Sequence, residues 1–542
     1  MHRFLDRTKK IIFAQQGGIF SSALILAVMI VTSRIFGFLR YRILSGYYTK
    51  AELDIFFASF RIPDIIFEIL ITGALTSSFI PIFIRFQKNK KELDENISSI
   101  INLIIVFLIV FILFILIFLD KIIYFITPGF QPDKIALIVF YSRILLIGQL
   151  PFLVIGNILT GIGQANKLFF YTSTAPVVYN LVIIAATILL NNQFQLLAPV
   201  IGTIIGSWLF LVIQAPLLLR TDFFYRFTIK ITSGLKDFFR MVVPRVFTVI
   251  VTQLDATIDL TLTSFLGTGS YTYFYLAQHL QLLPVSVIGI AFGQASLPYL
   301  TEMVEEKRME EFKKVIIDTI LNLFFMTIPA MSFFILARTP LIRLFFGGQK
   351  FDWESTVQTA ITLSFFSLSI PFHSVYYFIT RCFYATLDSK TPFYASLISI
   401  FVNTVLSLIF VLVLKLPVWA LAISFSTSIS VNVILLFMLL NKKVKNLDVK
   451  YLLLESAKML VATVIASSLA YGLMKLLDGL ILDTTRTINV FFLVIIGLAI
   501  YLLLYLFISW IIDVKEIYFI TKLLMKAKEY RKKVFDIYTT NE

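Results

Sequence analysis

Residues 32–42 read TSRIFGFLRYR and follow IFSSALILAVMIV (19–31), an apolar run of the kind that opens a membrane helix. Three arginines, Arg34, Arg40 and Arg42, therefore fall where the chain is still inside the bilayer. A charged side chain at that depth costs at least ~2.5 kcal/mol on insertion scales, so it turns toward protein or a wet cavity and marks function. Arg34 and Arg40 are six residues apart, about 9 Å along a regular helix and roughly 120° around it. They converge on one cavity only if the helix bends, and Gly37 between them is the expected bend. Arg42, nearer the exit, is read as an anchor that snorkels to the interface.

The rest of the chain shares this character. Of 542 residues, 58% are hydrophobic and 15% charged, with mean hydropathy +0.90; a soluble domain is nearer a quarter charged. Apolar runs of about 20 residues recur along the whole length, each long enough to cross roughly 30 Å of hydrocarbon as a helix. The expected fold is all-α, a polytopic membrane protein of about fourteen transmembrane helices, with nothing left over for a large soluble domain. Spans expected near 17–47, 53–86, 135–164 and 354–386 are four of them. MHRFLDRTKK and the apolar run behind it lack a small-residue cleavage site and read as an uncleaved first helix.

Lys and Arg concentrate in alternate loops, among them RFQKNKK (85–91), EEKRMEEFKK (305–314) and NKKVK (441–445), which places both termini in the cytoplasm. That distribution accounts for the net charge of +15 without a nucleic-acid partner. The tail from Asp513 reads as a basic amphipathic helix lying on anionic membrane lipids. One cysteine, Cys382, excludes a disulfide framework, and three scattered histidines, His2, His279 and His373, offer no metal cluster. No GxxxxGK phosphate loop is present.

Two halves of the chain echo each other. LLIGQLPFLVIGNIL around Pro151 resembles FSLSIPFHSVYYFI around Pro371, the following helices carry Asn180 and Asn403, and TSSFIP (76–81) echoes GQASLP (293–298). Six-helix halves repeated in one orientation imply two bundles with a substrate site between them. The expected organisation is an N-terminal six-helix lobe at 1–230, a C-terminal six-helix lobe at 231–449, and two extra helices with a basic tail at 450–542.

Intramembrane charges suggest what such a site would take. Asp54, Arg61 and Glu68 are seven apart with Asp64 between, a spacing that puts all four on one face of a continuous helix. Arg245, Thr248, Thr252, Asp255, Asp259 and Thr263 make a second polar face. Asp255 and Asp259, at i and i+4, suit a hard cation or a shared proton, or else pair with Arg245 and its neighbours. Arg143 and Arg381 lie on otherwise apolar helices, where pairing with acids and substrate contact are both open. Arginine in a sheltered pocket favours phosphate, because its planar fork donates two parallel hydrogen bonds. The physical reading is a central cavity that binds an anion. GxxxG at Gly202 and Gly206 reports close helix packing, and His279 and His373 read as hydrogen-bonded structural residues.

TSRIFGFLR (32–40), ELDIFFASFRIPDII (52–66), GALTSSFIP (73–81), VVPRVFTVIVTQ (242–253), GIAFGQASLPYL (289–300) and FYATLDSKTPF (383–393) resemble the MurJ (MviN) family. These are lipid II flippases of the multidrug/oligosaccharidyl-lipid/polysaccharide exporter superfamily. The resemblance covers essentially the whole chain. It implies a transporter rather than an enzyme, one that moves the undecaprenyl-pyrophosphate-linked peptidoglycan precursor from the inner to the outer leaflet of a bacterial plasma membrane by alternating access. It also implies that cations of helices 1, 2 and 8 meet the pyrophosphate. Arg34 and Arg40 match the helix 1 pair, and Asp54 matches an aspartate that pairs with helix 1 or controls cavity closure. Cell-wall synthesis proteins are a further partner class it implies.

This sequence departs from the family where relatives carry arginine: Phe67 late in helix 2 and His279 in helix 8. Arg61 and Arg245 are the candidates to supply the missing charge. A sodium site of some relatives maps to Asp259 and Asn403, but its further acidic ligand appears as Ser407. No cofactor is expected, and coupling to Na+, to H+ or to the membrane potential alone stays open. Rival readings are a flippase for another polyprenyl-linked glycan or a cation-coupled exporter of the same superfamily. A polyprenyl-phosphate transferase is a third, disfavoured because the outer loops YYTKAE, ITPGFQPDK, NNQFQLL and GTGS are poor in acidic groups that could hold a metal. A scaffold that recruits partners with its tail is a fourth.

Overall fold

The computed structural model describes residues 19–71, 79–166, 168–221, 223–228 and 230–518. Residues 76–78 of TSSFIP, and the expected tail helix beyond Tyr518, lie outside these residues. The chain is all-helical. In order, its helices are α1 (Ile19–Tyr47), α2 (Lys50–Ser59), α3 (Arg61–Glu68), α4 (Ile80–Phe86), α5 (Lys90–Ile126), α6 (Pro132–Gly148), α7 (Leu150–Ala165), α8 (Phe169–Phe194), α9 (Leu197–Gln214) and α10 (Ser233–Ser264). They continue as α11 (Ser270–Pro284), α12 (Ala291–Glu305), α13 (Met309–Leu336), α14 (Arg338–Phe346), α15 (Trp353–Ser367), α16 (Ile370–Ala385), α17 (Lys390–Leu408), α18 (Trp419–Val444), α19 (Val449–Leu480) and α20 (Thr487–Ile511). A π-helical turn, Val285–Ile290, joins α11 to α12.

Among the described residues, ten spans are long and apolar enough to cross a membrane, and an eleventh counts if the bent pair α6 and α7 is taken as one. The expected span at 135–164 is that bent pair, broken by 40° at Gln149. The spans at 53–86 and 354–386 are also interrupted, α2 giving way to α3 at Phe60 and α15 to α16 at Leu368 and Ser369. Each break lies just ahead of a proline, Pro63, Pro151 or Pro371. Proline has no N–H for the carbonyl four residues back, and its ring crowds that carbonyl. The freed group must find another donor. At Pro63 the partner is visible, since the buried Ser142 hydroxyl of α6 donates to the Ser59 carbonyl at 2.9 Å. The two halves of the repeat thus share a device, Pro151 and Pro371 each standing at the second residue of a helix that follows a break.

The chain divides into two compact units, 1–272 with 345–355, and 273–344 with 356–542. Within the first, α8 and α9 pack at their glycines. A Cβ on Gly202 would lie 2.6 Å from the Cβ of Ala186, and one on Gly206 would lie 3.1 Å from the Tyr179 carbonyl oxygen. The GxxxG therefore reports backbone approach, as expected of small residues between membrane helices. Within the second unit, the Tyr505 hydroxyl of α20 donates to the Phe325 carbonyl of α13 at 3.1 Å, tying one of the two last helices to its neighbour. Asp388, in the turn between α16 and α17, accepts from the Thr391 N–H and hydroxyl and from Lys443 of α18.

Candidate functional site

α1 runs through Gly37 without a break, and a Cβ there would meet nothing within 4 Å. The helix is unbroken at this glycine. Arg34 and Arg40 accordingly keep different surroundings. Arg34 is exposed, whereas Arg40 is half-buried with its guanidinium carbon 4.7 Å from the centre of the Tyr41 ring. Arg42 is half-buried on the same helix.

The acidic stripe expected along 54–68 is split by the break at Phe60, because its spacing argument assumed one continuous helix. Asp54 on α2 is fully buried. One carboxylate oxygen accepts from the Gly269 N–H at 2.6 Å. The other accepts from the Thr272 N–H at 2.9 Å and its hydroxyl at 2.8 Å. These are N–H groups at and just before the first turn of α11, which an intrahelical carbonyl cannot reach. A carboxylate there also meets the positive end of the helix dipole. Asp54 is therefore held by the 269–272 turn.

Beyond the break, α3 carries Arg61, Asp64 and Glu68, all half-buried. Arg61 reaches α10: its Nε donates to the Thr257 hydroxyl at 3.1 Å, and its Nη2 donates to the Gln253 carbonyl at 2.6 Å and the Gln253 side-chain oxygen at 2.7 Å. Arg61, Glu68 and Arg40 are the charged groups that act on Asp64. Arg40 and Asp64 also act on Tyr179 of α8, whose hydroxyl accepts from Gln149 at 3.2 Å. Arg61, Asp64, Asp259 and Asp54 act on Tyr271. The first unit thus gathers two arginines, several carboxylates and two tyrosines into one polar cluster inside an apolar bundle. Such a cluster can hold an anionic headgroup by charge-assisted hydrogen bonds.

The remaining candidates are more dispersed. On α10, Arg245 is exposed, Asp255 half-buried and Asp259 buried. On α17, Asn403 and Ser407 are buried one turn apart. His279 on α11 is half-buried, with Nδ1 2.8 Å from the Tyr275 carbonyl oxygen and its ring centre 4.0 Å from that of Tyr275. A carbonyl can only accept, so Nδ1 carries the proton. Half-buried His373 faces Gln281, whose amide donates to the Ser369 hydroxyl at 2.8 Å. Arg143 pairs with Asp120. Sequence reasoning missed Gln253, Thr257, Gln149, Tyr179 and Tyr271. Gln253 closes the VVPRVFTVIVTQ motif and stands four residues before Thr257, a signal that was present but overshadowed by the charged face beside it.

A profile of the family described as lipid II flippase MurJ matches residues 48–492 of this chain. The chain belongs to the MurJ family. A probable lipid II flippase MurJ of Rickettsia prowazekii is 26% identical over 399 residues, covering 72% of this chain and 78% of its own. A solved lipid II flippase MurJ in an inward closed conformation superposes with TM-score 0.74 at 25% identity, over 90% of this chain and 98% of that one. An inward-facing multidrug resistance transporter of the MATE family shares the fold at TM-score 0.64 and 14% identity, over 78% of this chain and 98% of that one. The MurJ family and the helical plan together make this a multi-pass membrane transporter, not an enzyme.

Proposed function

We propose that this chain translocates lipid II, the undecaprenyl-pyrophosphate-linked peptidoglycan precursor, from the inner to the outer leaflet of a bacterial plasma membrane by alternating access. The observation that carries this reading is the polar cluster of α1 and α3, in which Arg40 and Arg61 stand near Asp64, Tyr179 and Tyr271 within an apolar, membrane-spanning unit. The pyrophosphate is the part of the substrate that cannot cross hydrocarbon unaided, and guanidinium groups are the side chains that match it. Arg34, Arg40, Arg61, Arg245 and His279 are the proposed headgroup contacts. Both termini are proposed to be cytoplasmic, and an inside-negative potential then favours outward movement of an anion by about 2.3 kcal/mol per charge per 100 mV.

Asp255 and Asp259 of α10, with Asn403 of α17, are the residues proposed to bind a coupling cation if transport uses one. These carboxylates, with the fold shared by the MATE transporter, favour a cation-coupled exporter as the second reading. Replacing a resident lipid II flippase with this chain, and measuring external exposure of labelled lipid II, separates the two. Exposure is expected with the intact chain and is expected to vanish in Arg34→Ala and Arg40→Ala at unchanged abundance. A correctly inserted chain that gives no exposure overturns the lipid II reading.

A further inference from the structure

Arg61 and Asp64 stand three residues apart on α3, close enough on one helix face to pair. Arg61 is among the charged groups that act on Asp64, yet it spends its hydrogen bonds on α10. A guanidinium has five N–H donors. Three are taken by the Thr257 hydroxyl, the Gln253 carbonyl and the Gln253 side-chain oxygen. What is left is the pair of N–H groups on Nη1. The Thr257 hydroxyl is itself oriented, because it donates to the Gln253 carbonyl at 2.7 Å and so turns a lone pair to Arg61 Nε.

These acceptors are neutral, and that matters for an anion site. Had Arg61 been steered by a carboxylate, the pair would be internally neutralised and would offer little to a phosphate. An amide and a hydroxyl fix the direction of the guanidinium without a carboxylate taking its N–H groups. Preorganisation of that kind removes the cost of immobilising a long side chain when the ligand arrives.

We propose that Gln253 and Thr257 are positioning residues that hold Arg61 off Asp64, so that its Nη1 edge is presented to the pyrophosphate. This rests on the lipid II reading and adds the device that keeps a cation usable beside an intramembrane acid. Without Gln253's side-chain acceptor, Arg61 swings onto Asp64 and the site loses a cation without losing an arginine.

The test is retention of undecaprenyl pyrophosphate and, in parallel, undecaprenyl monophosphate by the purified full-length chain, read by native mass spectrometry as apparent Kd. Gln253→Met, close in size but with no oxygen, is expected to weaken pyrophosphate binding about tenfold, the value of one charge-assisted hydrogen bond at its lower end. Thr257→Val should weaken it less and Thr257→Ser should bind like the unaltered chain. Adding Asp64→Asn to Gln253→Met should restore binding, a rescue that a merely structural glutamine would not give. Pyrophosphate binding unchanged in Gln253→Met, or unrecovered in the double variant, overturns the positioning role. If Arg61→Ala loses binding while Gln253→Met keeps it, the lipid II reading stands and only the positioning role falls. If the unaltered chain retains neither lipid, both fall.

Discussion

Asp54 and Arg61 are one heptad apart on what the sequence presents as a single polar stripe, yet the two sides of the break at Phe60 use charge in opposite ways. On α2 the carboxylate of Asp54 is fully buried and satisfied by two backbone N–H groups and a hydroxyl, all from the turn at 269–272. On α3 the charges of Arg61, Asp64 and Glu68 are half-buried and only partly committed to protein partners. A buried charge with every partner in place is an anchor, because moving it strands its donors. Charges with remaining hydrogen-bonding capacity are able to meet a ligand. The break at Phe60 therefore separates a fully clasped charge from partly committed ones within fewer than twenty residues of chain.

The contrast is broken most directly at Asp54. Asp54→Ala leaves the Gly269 and Thr272 N–H groups and the Thr272 hydroxyl without their acceptor. The expected loss is about 3–5 kcal/mol, the scale for removing one partner of a buried charged network. It should appear as low abundance and early thermal unfolding in detergent, before any transport measurement is made. Asp54→Asn should fall between, since it keeps one carbonyl oxygen and sets an NH2 against a donor. If Asp54→Ala is as abundant and as heat-stable as the unaltered chain, the anchor description is wrong.

Ser142→Ala tests the break itself. Its hydroxyl is the donor that replaces the N–H missing at Pro63, so its removal leaves the buried Ser59 carbonyl unsatisfied. About 1–2 kcal/mol of stability should be lost, with the lipid-binding residues untouched. Beyond the break, Asp64→Asn is expected to cost less stability than Asp54→Ala, because Asp64 is half-buried and Asp54 fully buried. Its effect belongs to transport and binding, and a large loss of abundance would remove the distinction between the two sides of the break.

How much of this was readable beforehand follows from the same residues. The helical class and membrane character came through because apolar runs of span length are a one-dimensional signal. The stripe at 54–68 is interrupted at Phe60, a break that only Pro63 signals in the sequence. Partners far apart in sequence were out of reach. Nothing local to Asp54 points to Gly269, and nothing local to Arg61 points to Gln253, because both contacts depend on which helices become neighbours. Thr257 was shadowed by Asp255 and Asp259, which carry a louder signal on the same helix.

A carboxylate outside the membrane calibrates the anchor. Asp388 takes hydrogen bonds from the Thr391 N–H at 3.0 Å, the Thr391 hydroxyl at 2.8 Å and Lys443 at 2.9 Å, much as Asp54 does, but in a solvent-accessible turn. Partial burial pushes its pKa up, while the Thr391 and Lys443 hydrogen bonds and the Lys443 charge outweigh this and hold it at about 2. An unfolded aspartate titrates near 3.9. The folded value is the lower of the two, so the stabilisation is fully present above the unfolded value and is lost as pH falls through about 2. Solvent screening at this exposed site reduces its worth to about 1 kcal/mol. Asp388→Asn should therefore lower thermal stability modestly at neutral pH, and the gap between variant and unaltered chain should close on acidification from pH 4 toward pH 2. A deficit as large as that of Asp54→Ala, or one that persists at pH 2, would mean that geometry alone sets the strength of these carboxylate clasps and that burial adds nothing.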